Sequence, residues 1–287
     1  MIVLSRSKNA AARVAVTEPE DTRRLRHSCT AVLRARTIPS LDHVDPPKEM
    51  PVLLALWSPK GGSGTSVLAA ACALVLARRG DGARLADLAG DQPAIFGLAA
   101  DPPTGLADWL AAGPEAPVDA LSRFSVVAAP GVALLPRGID GRVLAPLPAA
   151  EAGAALGVAL RDGPVVTIAD AGRADQPASR ALVEVADVSV AVVRGCYLAL
   201  RRSVQSPLLA RCAGVVLVEE AGRSLGASEV ADVLDRPVLA RLPVRPPIAR
   251  AVDAGVLASR LPDPIARSAS RLLVRLELLS DRRGEAA

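Results

Sequence analysis

The sequence predicts one α/β domain, a mostly parallel sheet flanked by helices in three layers. Three observations support this. Short apolar runs alternate with helical stretches from Met50 onward. The first run, 52–57, is continuously apolar rather than alternating, as a strand covered on both faces must be. Hydrophobic residues make up 51% of the 287 and charged residues 22%, a composition that builds a packed core.

Taken in order, 52–57 reads as a buried strand and 66–79 as a helix stopped by Gly80. Strands follow at 83–87, 131–136 and 164–170, with a helix over 147–160 between the last two. The segment 177–186 is a helix opened by proline in its first turn. A strand at 188–194 leads into a mostly helical 197–211, with Pro207 as a kink. Then come strand 213–218, helix 227–234, strand 238–242 and two final helices near 248–254 and 263–280. No internal repeat is present.

Residues 1–49 differ. They lack sustained periodicity and end in a polar, proline-containing run, so they read as a flexible N-terminal segment, or as sequence upstream of the native start. Residues 50–287 form the domain. The segment 1–49 carries nine Lys/Arg against six Asp/Glu, whereas the rest is balanced at 25 against 24. The net charge of +4 is therefore no argument that the domain binds DNA.

Other counts exclude whole chemistries. Both histidines, His27 and His43, precede Met50, which removes Ser-His-Asp triads, Cys-His dyads and histidine-ligated metals from the domain. Five aromatic residues are too few for base-stacking platforms. The four cysteines show no CxxC spacing, and Cys72 and Cys196 read as inert thiols in a reduced, cytoplasmic protein. No apolar run is long enough to span a bilayer, and no signal peptide is evident.

The chemistry concentrates in Lys60-Gly61-Gly62-Ser63-Gly64-Thr65-Ser66, between the first strand and the first helix. Backbone N–H groups and a helix N-terminus converge there, which suits a phosphate. A glycine cluster is also what a tight turn uses. Lysine usage separates the two readings: Lys60 is the only lysine after residue 48, against 24 arginines from Met50 onward. A compact ammonium fits a tight phosphate nest better than a planar guanidinium does.

This segment resembles the deviant Walker A motif of the MinD/ParA family of P-loop ATPases, K-G-G-x-G-K-[ST]. The resemblance makes Lys60 the signature lysine, Gly61 to Thr65 the phosphate loop, and Ser66 the Mg²⁺ ligand. Thr65 departs from the pattern, standing where the second lysine belongs. Losing that charge-assisted contact weakens nucleotide binding by about 1.5–3 kcal/mol, roughly ten- to a hundredfold. Asp87 matches the first acid of the family's D-x-D strand end, where the second acid is replaced by Ala89 and shifted to Asp91 at best. Val165 to Asp170 resembles the Walker B strand, with Asp170 holding Mg²⁺ through water. Gly105 to Leu110, Leu134 to Gly138, Ala186 to Val193 and Arg236 to Pro243 resemble further family segments in family order. The similarity spans about residues 50–278.

The resemblance implies ATP and Mg²⁺ as ligands, a homodimer, and slow hydrolysis at most, with Lys60 and Asp87 as the catalytic-site residues. Threonine after the glycine run points to the CpaE/TadZ branch, linked to pilus assembly, with septum-site-determining proteins also similar. That implies a nucleotide-gated positioning factor with a protein partner in a secretion, pilus or division apparatus, cytoplasmic or peripheral at the membrane or cell pole. The alternatives are an active ParA-type partition ATPase and a nucleotide-free scaffold. The family's adenine-facing asparagine has no counterpart, since Asn9 is the only Asn. Arg201 and Arg202, placed near a helix start, read as a solvated face rather than a DNA site. The last helix, with Arg267, Arg271 and Arg275 opposite an apolar face, reads as packed on the sheet in preference to lying on a membrane.

Overall fold

The computed structural model describes residues 52–139, 146–223 and 225–278. The expected N-terminal segment 1–49, with both histidines and Cys29, lies outside the described residues. Strands β1 (Leu53–Trp57), β2 (Ala83–Asp87), β3 (Val126–Ala129), β4 (Val132–Leu135), β5 (Thr167–Asp170), β6 (Val188–Arg194), β7 (Gly214–Glu219) and β8 (Val238–Pro243) form one sheet. Its order is β3-β4-β2-β5-β1-β6-β7-β8. Every neighbouring pair is parallel except β3–β4, which is an antiparallel hairpin.

Strand β1 is buried throughout, and its side chains divide between two cores. Leu54 and Leu56 meet α1 (Thr65–Arg79) and α10 (Asp263–Arg275) on one face. Leu53, Ala55 and Trp57 meet α5 (Pro146–Arg161) and α6 (Pro177–Val185) on the other. The Trp57 indole N–H, buried with the ring, donates to Ser189 Oγ at 3.2 Å. Asp187, just before β6, accepts the Leu53 N–H at 2.9 Å and pairs with Arg161 at 2.6 Å, tying three elements together.

Helices α5 and α6 pack closely because α5 carries glycine at 153 and 157. A Cβ at Gly153 would collide with the Ala178 backbone, and one at Gly157 with the Val185 side chain. Shorter helices complete the layers: α2 (Gln92–Phe96), α3 (Leu106–Ala112), α4 (Ala120–Phe124), α7 (Tyr197–Val204), α8 (Ala227–Leu234) and α9 (Pro246–Asp253). Asp108 accepts the Gly105 N–H at 2.8 Å, so the acid of that family-like segment caps α3.

Several expectations change. The predicted helix over 197–211 ends at Val204; Ser206 is extended before Pro207, and a separate 3₁₀ turn covers Pro207–Arg211. The clash of a proline ring with the preceding residue forbids continuing the helix there. Arg201 and Arg202 lie in the last turn of α7, not near its start, where basic side chains complement the helix dipole. The last helix ends at Arg275 rather than Ser280. Its apolar face (Ile265, Ala269, Leu272) is fully buried in the core beneath α1, as packing on the sheet requires. Among the described residues no helix is long and apolar enough to cross a membrane.

Candidate functional site

The chain runs from β1 toward β2 on one side of the sheet and later to β6 on the other. A crevice therefore opens at the carboxyl end of β1, where α/β sheets bind ligands. The loop 58–64 fills that position. Ser58 anchors it: its N–H donates to Gly172 O at 2.8 Å and its hydroxyl to Lys60 O at 3.0 Å. Ser63 Oγ also donates to Lys60 O, at 2.6 Å, closing the loop on itself. Gly62 and Gly64 turn it through left-handed φ of 71° and 78°.

Helix α1 begins at Thr65 with Gly64 as N-cap, no side-chain cap and no acid in its first turn. Among the described residues no backbone acceptor takes the N–H groups of Gly62, Ser63 or Gly64. The first-turn N–H groups have no intrahelical partners either. A helix end that would ordinarily be capped is thus open toward an anion. Thr65 is 5% exposed, and among the described residues its Oγ1 has no hydrogen-bond partner.

Three carboxylates gather beside Ser66. Its hydroxyl donates to Asp91 Oδ2 at 3.0 Å, and Asp170 lies close enough to compete for that proton. Asp170 and Asp87 are adjacent in the β2–β5 register, and both are fully buried. Gln92 connects them: its Nε2 donates to Asp170 Oδ2 at 2.9 Å and to Ser66 O at 3.0 Å, while its backbone N–H donates to Asp87 Oδ2 at 3.0 Å. The Gly90 N–H reaches Asp87 Oδ1 at 2.6 Å. Burial, with the neighbouring Asp170 charge, pushes Asp87 up to about 7 against those two N–H groups. Burial also raises Asp170, opposed by hydrogen bonds from Gln92, Ser66 and Gly172.

The glycine loop and Asp91 line one cavity of about 710 Å³. Arg137 and Arg173 line it too. Lys60 does not line it. That residue is half-buried, and its charge acts on Glu220, which is held below the usual carboxylate range first by the hydrogen bond from Arg223, then by Arg194, Arg223 and Lys60. A smaller cavity of about 180 Å³ lies across the loop, walled by Val218, Leu242, Pro243, Val244 and Ile248.

Neutral N–H groups, one serine hydroxyl and buried carboxylates fit a polyphosphate with a hard cation. Among the described residues no group of three or more His, Cys, Asp or Glu could hold a metal on its own. Ser66 and Asp170 would thus hold Mg²⁺ only together with phosphate and water oxygens. Cys72 is buried and pushed up to about 12 by burial, so it stays a thiol. Cys212 is also buried, whereas Cys196 is half-buried.

Gln92 and Arg173 escaped the sequence reading; their roles arise where separate strand ends meet. Arg137 was visible inside a family-like segment without a role attached to it. Asp91, a shifted substitute by sequence, reaches Ser66 directly.

The sheet order, the flanking helices and the glycine loop after β1 together define a three-layer α/β fold of the P-loop type. The chain matches a chain of the MinC:MinD cell division protein complex of Aquifex aeolicus with a TM-score of 0.64 and 18% identity, over 80% of this chain and 97% of that one. It matches the septum site-determining protein MinD with Mg-ADP from Pyrococcus horikoshii at TM-score 0.65 and 17% identity, over 83% and 98%. It matches a variant of Cyanothece McdA in complex with ATP at TM-score 0.65 and 17% identity, over 82% and 99%. The fold is therefore that of the MinD/ParA ATPases. No family model and no curated protein sequence matches the chain.

Proposed function

We propose that this chain binds ATP with Mg²⁺ and acts as a nucleotide-gated positioning or assembly factor of the CpaE/TadZ type, serving a pilus, septum or polar apparatus. The observation behind the reading is that the uncapped start of α1 and the Ser66–Asp91 pair open into the same 710 Å³ cavity. Phosphates would lie against the N–H groups of Gly61 to Ser66. Bound Mg²⁺ would neutralise phosphate charge, held by Ser66 and, through water, Asp170. The base would occupy the apolar 180 Å³ pocket.

Hydrolysis would be slow or absent. Ala89 stands where the resemblance expects the second acid, and Thr65 offers no charge. Lys60, which does not line the cavity of its own chain, would reach phosphates only across a homodimer. The apolar face of α10 is already buried, so attachment at a membrane or pole would go through a protein partner. Two proteins of the same fold are ATP- or ADP-bound in their own structures, which supports the ligand class.

A melting titration of the full chain with Mg-ATP tests this. Nucleotide at a hundredfold above Kd stabilises by about 2.7 kcal/mol, and the melting temperature should rise accordingly. No rise at millimolar Mg-ATP overturns the proposal. Phosphate release well above about 1 s⁻¹, an ordinary enzyme turnover, overturns the claim of slow hydrolysis.

A further inference from the structure

We propose that Arg173, together with Arg137, supplies the positive charge for a nucleotide's phosphates that Thr65 cannot. This rests on the nucleotide reading above and assigns the cations of that site. The cavity meets the helix start through Thr65, a buried neutral side chain whose Oγ1 has no partner among the described residues. Lys60 is absent from the cavity wall, whereas both arginines are part of it.

Each arginine lies over a glycine. A Cβ at Gly61 would sit 3.3 Å from Arg173 Cδ, and a Cβ at Gly90 would sit 3.3 Å from Arg137 Cδ. The arginine stems thus use room that glycine leaves in two different loops, and the two residues line the cavity from the loops that follow β5 and β4. Neither is locked in place. Arg173 pairs with Asp175 at 2.6 Å, with both side chains about half exposed. Among the described residues, Arg137 NH1 makes only long contacts, 3.5 Å to Leu88 O and 3.4 Å to Ala89 O. A polyphosphate offers both a stronger, bidentate partner than these.

Position explains the substitution. A lysine at residue 65 would deliver its charge from the start of α1. Arg173 would deliver it from the loop after β5, across the glycine loop, from the cavity's other wall. Loss of the loop lysine then moves the cation without removing it.

The test is calorimetric titration of the full chain with Mg-ATP, and separately with inorganic tripolyphosphate, for the parent, Arg173→Gln, Arg137→Gln and the double variant. Glutamine keeps much of the stem over the glycine, and both positions are exposed, so melting temperatures should match the parent. Arg173→Gln should weaken both ligands about tenfold and the double variant more, about a hundredfold. A double variant that binds both like the parent overturns the proposal. So does a loss for Mg-ATP with none for tripolyphosphate, because the missing contact would then be to base or sugar. A parent that binds neither ligand overturns the nucleotide reading itself, a result visible before any variant is made.

Discussion

Gly62 precedes one helix and Gly153 lies within another, and a Cβ would meet opposite surroundings at the two positions. At Gly62, in the loop before α1, it would meet nothing within 4 Å among the described residues, although φ is 71°. At Gly153, inside α5, it would collide with the Ala178 backbone. The second glycine lets two helices approach, and the fold has already used the space. The first leaves its space open, beside uncapped N–H groups, where a ligand can use it. Glycines of fold and glycines of site are thus separated by what fills the gap.

The largest effect should come from filling the α5–α6 contact. Gly153→Ala forces backbone apart in a packed layer, an overpacking cost of about 3 kcal/mol. For a domain of this size that lowers the melting temperature by about 10 °C. Affinity of the folded fraction for Mg-ATP should stay within about twofold. A variant that melts with the parent would break the comparison at its structural end.

Next in size is a pH effect. Asp87 titrates near 7 in the folded chain and near its ordinary value of 3.8 when unfolded. Between those values the folded state holds a proton that the unfolded state has lost. Stability therefore falls as pH rises from about 4 to about 7, then levels off. Asp170, raised by burial, acts in the same direction. Without nucleotide or metal, the melting temperature should drop by about 5 °C between pH 5 and pH 8 on this account. Asp87→Asn should flatten that slope. It should also cost some stability at pH 5, because an amide cannot accept from both the Gly90 and Gln92 N–H groups. An unchanged slope would show that Asp87 is not buried as described.

A smaller effect is expected at the open glycine. Gly62→Ala places a Cβ in a left-handed backbone, at about 1 kcal/mol, a shift of a few degrees in melting temperature. The new methyl would stand where phosphates must approach, so Mg-ATP affinity should fall about tenfold. Equal nucleotide affinity for Gly62→Ala and parent would mean that the gap is not the ligand's.

What was readable in the sequence follows the same division. The strand β1, the helix α1 and the loop between them show locally: a continuous apolar run, a glycine cluster, a helix ending in Gly80. The hairpin partner β3 does not. Only four residues long, most of it exposed or partly so, it gains its identity from pairing with β4. Ser66, Asp87 and Asp170 could be named because each ends a recognisable segment. Gln92 and Arg173 could not. Gln92 matters because Asp87, Asp170 and Ser66 surround it, and Arg173 because Gly61 leaves room beneath it. Those facts belong to the way β1, β2 and β5 end side by side. Lys60 is marked by its rarity, but no local rule says which way a side chain leaves a loop, and in the single chain it stands outside the cavity wall.

That direction sets the last and smallest prediction. Lys60 does not line the cavity of its own chain, and its charge acts on Glu220. In a dilute monomeric sample Lys60→Ala should therefore leave Mg-ATP affinity within about twofold of the parent. If the lysine reaches a partner's phosphates, the loss appears only where the chain dimerises. Mg-ATP binding should then weaken about tenfold, one charge-assisted contact, and ATP-dependent dimerisation should weaken in step. Titrating nucleotide at several protein concentrations, with sedimentation alongside, separates the cases. A tenfold loss already present in the monomer would put Lys60 back in its own site.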